Sequence, residues 1–496
     1  MNTFLFLNII TIILLFIINN NSYILNIIKY GLANKYIKQL IYFTSITFIY
    51  LFLIVNYYFN NNILGYQFIE NTLNINWGID GISLWLINLT IILLPIALLS
   101  NWNIDLINNS TFNNNITTNK SFIFNLLILL IGIIIILNFL CLDLISFYIL
   151  FEASLLPLFI LIGIFGSKYK EKAAYYIFIY TLFSSLFMLL SIGIYIYILG
   201  NIDYINLNNI ILSIDLQSIL FLGFILGIAV KTPIFPVHTW LPLVHAESPI
   251  GGSILLAGLI IKLAIYAIIR LILINLSDVV IIYNPLIYTI AILTIFYIGI
   301  ITLKQIDIKV IIAYSSIIHM AIVIMSIFSN NIIGIEGSII LSIAHGFASP
   351  ALFLLVGGVL YDRYHTRFIY YYQSLATYMP IFSIYLVIAG LFNMGIPLSA
   401  NFIGEFLSIN GIFIFNALFA ILSTFSIFIT SIYQMKLTTK ILYGYKSIYL
   451  NIVKDINNRE LFILNILFIS ILFIGIYPNI LIKTLDISVS SLIYSI

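Results

Sequence analysis

Stretches of about twenty consecutive apolar residues dominate this chain, and each is long enough to carry a helix across the ~30 Å hydrocarbon core of a bilayer. Fourteen can be marked out, at residues 3–19, 39–59, 82–101, 121–141, 144–166, 173–199, 217–245, 249–275, 280–303, 308–328, 333–360, 379–412, 416–440 and 461–482. Backbone groups in lipid find no water, so such stretches must be helices that satisfy their own hydrogen bonds. Of the 496 residues 62% are hydrophobic and 7% charged, whereas a soluble domain carries about 25% charge. The fold class that follows is an all-α polytopic membrane protein with about fourteen transmembrane helices.

Several function classes drop out on composition. The formal balance of +3 comes without a basic run or an interleaved basic-aromatic patch, so nucleic acid is not a partner. The single cysteine, Cys141, excludes a disulfide framework, a CxxC redox pair and a cysteine-ligated iron–sulfur cluster within the chain. No glycine fingerprint for nucleotides is present. The apolar sequence begins at Phe4 with no basic leader, which leads us to expect insertion as synthesised. Heavy use of Ile, Asn, Tyr and Phe, with 26 Gly and 11 Pro, suits the codons of an AT-rich genome such as an organelle's.

Lys and Arg collect in the inner loops of membrane proteins, which tests the span count. Odd-numbered loops carry sixteen of the twenty basic residues, even-numbered loops none, and the C-terminal tail only Lys483. Lys231, Lys262 and Arg270 are left inside spans. Both termini are therefore expected on the opposite, outer side.

Two spans are interrupted. The seventh contains KTPIFP, Lys231 to Pro236, where two prolines remove amide donors and disturb the turn before each. The twelfth contains NMGIPLS, Asn393 to Ser399. The breaks lie five helices apart, and an odd repeat reverses its direction across the membrane. Spans four to eight and nine to thirteen therefore read as an inverted pair, and broken helices in matching positions of two halves point to an ion pathway. The organisation expected is a three-helix segment 1–120, repeats at 121–275 and 280–440, and a C-terminal loop and helix at 441–496.

An ionisable side chain at mid-membrane costs about 2.5–3.5 kcal/mol, so each requires a reason. Six stand out: Glu152 in the fifth span, Lys231 at the seventh span's break, Lys262 in the eighth, His319 in the tenth, His345 in the eleventh and Glu405 past the break of the twelfth. Under the repeat, Glu152 matches His319 and Lys231 matches Glu405. Structural ion pairs between helices are the plain alternative for any one of them. Lys262 and His319 have no evident carboxylate, and a row of Lys, His and Glu at one depth suits proton transfer better than bracing. His238 and His245 flank Trp240 near the inner end of the seventh span, with Glu247 beyond; they either line an inner half-channel or anchor the interface. Arg270 is expected to snorkel toward the headgroups, His365 to be solvated, and the Asn-rich stretches 18–22 and 101–119 to be loops.

Four sequence blocks carry a resemblance: LGIAVKTPIFPVHTWLPLVHAESPIGGSILLAGLIIKLAIYAIIR (Leu226 to Arg270), DLISFYILFEASLLPLFILIGIFG (Asp143 to Gly166), AHGFASPALFLLVGGVLYDR (Ala344 to Arg363) and GIPLSANFIGEF (Gly395 to Phe406). They resemble the antiporter-like subunits of respiratory complex I, NADH:ubiquinone oxidoreductase, over about residues 75–480. Among the three paralogous subunits of that kind, the chain is similar to the one with a glutamate at the twelfth-span position, here Glu405, where the other two have lysine. It also lacks the long lateral helix of one paralogue and is longer than the usual form of another. The resemblance implies that Glu152 and Lys231 form a coupling ion pair, Lys262 is a central relay, His319 and His345 are onward links and Glu405 is the exit-side terminus.

It further implies no cofactor or metal in this chain, with NADH, FMN, iron–sulfur clusters and ubiquinone bound by other subunits of the complex. The partners implied are other membrane-arm subunits, above all the two paralogous antiporter-like subunits on either side. The inner lysines suit anionic lipid such as cardiolipin. The location implied is the mitochondrial inner membrane, multi-pass, with both termini in the intermembrane space. A stand-alone multisubunit-type cation/proton antiporter subunit is the alternative reading; a passive membrane anchor is the third.

Overall fold

The computed structural model describes residues 33–494, except 62, 64, 73–74, 102–113, 201–202, 208–211, 446–449 and 452. The first apolar stretch, 3–19, and the Asn-rich run 18–22 lie outside the described residues. The stretches from the second to the fourteenth coincide with helices. Among the described residues ten are long and apolar enough to cross a membrane: Gly81–Ser100, Lys120–Leu140, Leu144–Phe165, Lys170–Ile198, Ile250–Leu273, Ser277–Lys304, Ile308–Phe328, Ile332–Tyr364, Ala417–Leu442 and Asn458–Ile476. Shorter apolar helices at Thr44–Tyr58, Ile214–Ala229, Pro380–Asn393 and Ala400–Phe415 supply the second span, the first half of the seventh and both halves of the twelfth.

Burial is graded from centre to rim. The eighth and eleventh spans are enclosed through their central five turns and the third and tenth nearly so, whereas the sixth, ninth, thirteenth and fourteenth turn large apolar faces outward. Leu190, Tyr197, Leu293 and Ile469 are exposed on those faces. Lipid solvates such side chains as well as a protein core does, so the outer helices are held by shape and by small or polar contacts. Between the eleventh span and the second half of the twelfth, glycines allow backbone contact: a Cβ on Gly404 would lie 2.6 Å from Leu341 Cα, and one on Gly337 would lie 2.5 Å from Ser408 N.

The seventh span breaks as its prolines require. Helix Ile214–Ala229 gives way to turns, and helix Trp240–Glu247 resumes the course. The twelfth stops at Asn393 and restarts at Ala400, with Gly395 at φ +70° and Leu398 at φ +77° turning the chain between them. The sequence reading did not single out three other irregularities, although Pro157, which cannot bond to Ala153 O, marks the first of them. The fifth span is interrupted at Ser154, dividing Leu144–Ala153 from Leu155–Phe165. The eighth span contains π-helical turns at Leu256–Ile260 and Ile268–Leu273, and the eleventh one at Leu354–Leu360.

Four expectations change in detail. A two-stranded antiparallel hairpin, Gln67–Thr72 with Ile75–Ile79, joins the second and third spans. After the fourteenth span a further helix, Asn479–Tyr494, folds back on the third, where Trp85 Nε1 donates to Thr484 Oγ1 at 2.6 Å. The stretch 101–119 is already helical from Asn114. Arg270 does not snorkel: it is 2% exposed and pairs with Asp80, the residue that caps the third span's N-terminus, between the rings of Tyr66 and Tyr266. A buried carboxylate in reach gives the guanidinium a better partner than distant headgroups.

The hairpin is tied to the bundle through a pair of carboxylates. Asn76 N donates to Asp143 Oδ2 at 2.8 Å, and Asn76 Nδ2 donates to Asp203 Oδ1 at 3.1 Å. Burial, and then hydrogen bonding to Asp203, push the Asp143 carboxyl from 3.8 up to about 6. A group raised in the folded state holds a proton there that the unfolded chain has released. Its stabilisation is full below the unfolded value and is lost as pH rises through about 6. Hydrogen-exchange protection of the amides at 75–79, corrected for intrinsic rate, is expected to fall between pH 5 and pH 7 and to become flat in Asp203→Asn; equal pH dependence in both proteins would refute the shared proton.

Candidate functional site

The break of the seventh span places Lys231 against the fifth. Pro233 and Pro236 supply no amide donors, so carbonyls at the end of the first half-helix need other partners. Trp240 Nε1 takes one of them, donating to Val230 O at 2.9 Å. Lys231, 1% exposed, donates to Phe151 O at 2.8 Å and pairs with Glu152 Oε1 at 3.2 Å, its ammonium 3.1 Å from the Phe151 ring centroid. The Glu152 side chain is 20% exposed. The charge pair is thus enclosed on its lysine side and open on its carboxylate side.

Lys262 follows the first π-helical turn of the eighth span. Its Nζ donates to Ala257 O, five residues back, at 2.6 Å, and lies 2.9 Å from His345 Nδ1 on the eleventh span. The rings of His345 and His319 are 5.5 Å apart between centroids. His319 Nδ1 lies 3.2 Å from Glu405 Oε1, a close contact whose geometry falls short of a hydrogen bond. Four groups from the eighth, eleventh, tenth and twelfth spans therefore form one sequence, Lys262, His345, His319, Glu405. The first three are wholly enclosed and Glu405 is buried. His319 is thereby corrected: it does have a carboxylate, from a helix that sequence proximity does not reveal. Glu405 in turn lies over the Gly395 turn of the twelfth span's break, where a Cβ would sit 2.6 Å from Glu405 Oε2.

His238 and His245 are both buried, so neither serves as an interfacial anchor. His245 stacks on Phe353 with ring centroids 4.6 Å apart, and both its ring nitrogens lack partners. His238 faces Phe235, Tyr297 and Tyr314. His365 is exposed, as expected. Glu247 is a clamp: it accepts from the Ser167 hydroxyl, from Tyr169 N at 3.0 Å and from Arg367 Nη2 at 3.2 Å. Burial raises its carboxyl, and these hydrogen bonds with the Arg367 charge outweigh that and hold it below its ordinary value.

One group escaped sequence reasoning. Lys309 counts as a loop lysine by position, yet it is buried, donates to Ser248 O at 2.7 Å and lines a cavity of about 440 Å³ with Glu247, Asp362 and Arg367. Its place inside the apolar stretch 308–328 was the available signal.

Replacing Trp240 by Phe leaves the Val230 carbonyl without its donor. The expected loss is about 1–3 kcal/mol, read as a lower melting temperature of the purified assembly; an unchanged melting temperature would show that the break solvates itself.

Known proteins share the fold and much of the sequence. The family model described as NADH:quinone oxidoreductase/Mrp antiporter, TM, matches residues 141–430, a range that contains all six of the ionisable groups singled out above. NADH-ubiquinone oxidoreductase chain 4 of Wickerhamomyces canadensis is 72% identical, covering 98% of this chain and 97% of that one. Among solved structures, a chain of respiratory complex I from Thermus thermophilus with bound NADH superposes with a TM-score of 0.80 at 25% identity, covering 91% of this chain and 94% of that chain. A chain of the Mrp complex from Dietzia sp. DQ12-45-1b superposes with a TM-score of 0.83 at 15% identity, covering 98% and 97%. That second likeness establishes the shared fold alone. Identity spread over nearly the full length of both sequences places the chain in the NADH-ubiquinone oxidoreductase chain 4 family.

Proposed function

We propose that this chain is a proton-translocating subunit in the membrane arm of NADH:ubiquinone oxidoreductase, moving H+ through its buried Lys, His and Glu groups while electron transfer takes place in other subunits. The observation that carries the reading is the enclosed sequence Lys262, His345, His319, Glu405, in which each group is adjacent to the next across four different helices. Its members all bind and release protons. A cation site would instead gather several oxygen ligands, as hard cations require.

The two parts of the row suit different tasks. Lys231 holds its proton while Glu152 is beside it and passes it on when that pair opens. The partly open Glu152 carboxylate is the point at which a neighbouring subunit's charge can act on the pair. From Lys262 to Glu405 the groups are positioned for onward transfer. Moving a proton against ~170 mV needs roughly 4 kcal/mol, since one charge through 100 mV is worth about 2.3 kcal/mol. At about 1.4 kcal/mol per pKa unit, a carrier whose affinity swings by ~3 units between two states meets that demand.

The same reading places spans four to eight and nine to thirteen as inverted repeats. The matched interruptions of the seventh and twelfth spans support this, with Lys231 in one break and Glu405 folded over the other. The basic loops support an orientation with both termini in the intermembrane space of mitochondria. The exposed apolar faces are the surfaces for lipid and for the neighbouring membrane-arm subunits, including paralogous antiporter-like subunits on either side. Cardiolipin against the inner lysines belongs to the same proposal.

In the reconstituted complex, Glu152→Gln is expected to lower proton ejection and coupled ubiquinone reduction by about a hundredfold, the scale of a lost acid–base group, with normal subunit content. Proton ejection at the unmodified rate would refute the switch. Lys262→Met, similar in length and unable to carry a proton, is expected to give the same phenotype; a shift from H+ to Na+ transport in that variant would instead support a cation carrier.

A further inference from the structure

The two carboxylate oxygens of Glu405 face different neighbours. Oε1 lies 3.2 Å from His319 Nδ1, at the end of the row, whereas a Cβ placed on Gly395, in the break of the twelfth span, would meet Oε2 first, at 2.6 Å. That turn is held from the second half-helix by Asn401. Its Nδ2 donates to Phe392 O at 2.9 Å, and the same carbonyl accepts from Gly395 N at 3.2 Å. Asn401 and Glu405 are four residues apart in helix Ala400–Phe415, so they share a face with their Cβ atoms about 5–6 Å apart. Both side chains therefore converge on one turn, residues 392–395.

Only one half of the Asn401 amide serves this clamp. The residue is wholly buried, and its Oδ1 has no hydrogen-bond partner among the described residues; Oδ1 of Asn393, at the other edge of the break, has none either. Asn393 is engaged through its Nδ2, which donates to Tyr433 OH at 3.2 Å. Buried amide oxygens are nearly always bonded, so an unused one calls for a donor that comes and goes. Beside an ionised Glu405 the Asn401 oxygen stays unbonded, because a carboxylate only accepts, whereas the protonated acid has one O–H to give. The donor that Asn401 lacks is thus created by the proton that the row delivers.

We propose that Asn401 is the positioning residue for protonated Glu405: its Oδ1 accepts the O–H formed on Oε2 and draws the carboxyl off His319 toward the break before the proton is released. In the first step an N–H bond of the His319 imidazolium breaks and an O–H bond forms on Glu405, leaving both groups neutral and without charge attraction. In the second the O–H turns to Asn401 Oδ1. In the third that O–H bond breaks, the proton passes to water, and Glu405 returns to His319 as a carboxylate. The exchange of partners keeps the proton from running back along the row. This rests on the row reading above, and Glu405→Gln separates the two.

The test is the carboxylic-acid C=O stretch in infrared difference spectra of the reconstituted complex during turnover, read together with proton ejection. The band missing from Glu405→Gln belongs to Glu405. In Asn401→Leu, which fills the site and offers no acceptor, that band is expected at higher frequency and ejection at least about tenfold slower, the scale of one hydrogen bond. A band that does not rise would leave Oδ1 to a bound water and overturn the proposal, as would full-rate ejection with a raised band; the row reading survives either result. Should Asn401→Leu not assemble, Asn401→Asp decides: its anionic oxygen is a stronger acceptor, so the band is expected lower than in the unmodified protein, and an unchanged band overturns the proposal. Full-rate ejection in Glu405→Gln would overturn the row reading itself.

Discussion

Hydrocarbon offers no hydrogen bonds, and nearly everything distinctive in this structure answers to that one constraint. A helix can cross lipid because it satisfies its own backbone, so any departure from regular helix must be met from inside the protein. The seventh span's break is met by the Trp240 indole on the Val230 carbonyl. The π-helical turn in the eighth span is met by Lys262 itself, whose ammonium takes the Ala257 carbonyl. The interruptions are therefore sites where side chains and backbone complete one another, and charge is admitted to the membrane at those places.

The same constraint explains why the charged groups come in company. Lys231 has Glu152 and the Phe151 carbonyl and ring; Lys262 has His345; His319 has Glu405; Arg270 has Asp80 and two tyrosines. The pairs differ in exposure and in kind. Arg270 and Asp80 form an ion pair at the N-terminus of the third span. The Lys–His–His–Glu sequence is made of groups that change charge by binding a proton, with imidazole in the middle, the side chain whose ordinary titration lies nearest neutrality.

Much of this was legible in the residues alone. Span positions, the two breaks and the six costly ionisable groups follow from hydropathy, proline chemistry and the price of charge in lipid, and all are local properties. The misreadings share one cause. Arg270 seemed destined for the headgroups, His319 seemed to lack a carboxylate and Lys309 seemed to belong to a loop, because their partners Asp80, Glu405 and Ser248 lie far away along the chain. The hairpin at 67–79 and the π-helical turns went unseen because neither has a strong compositional mark.

The sequence by itself determined that this is a bundle of membrane helices, where two of them break, and which side chains need a function to justify their burial, since each of these depends on how a short segment partitions between water and lipid. Only the tertiary structure decided which of those side chains meet. That outcome is set by the register between helices, and the register is set by where small residues such as Gly337, Gly404 and Gly411 let two backbones touch, a matter of fit between segments that no single segment contains.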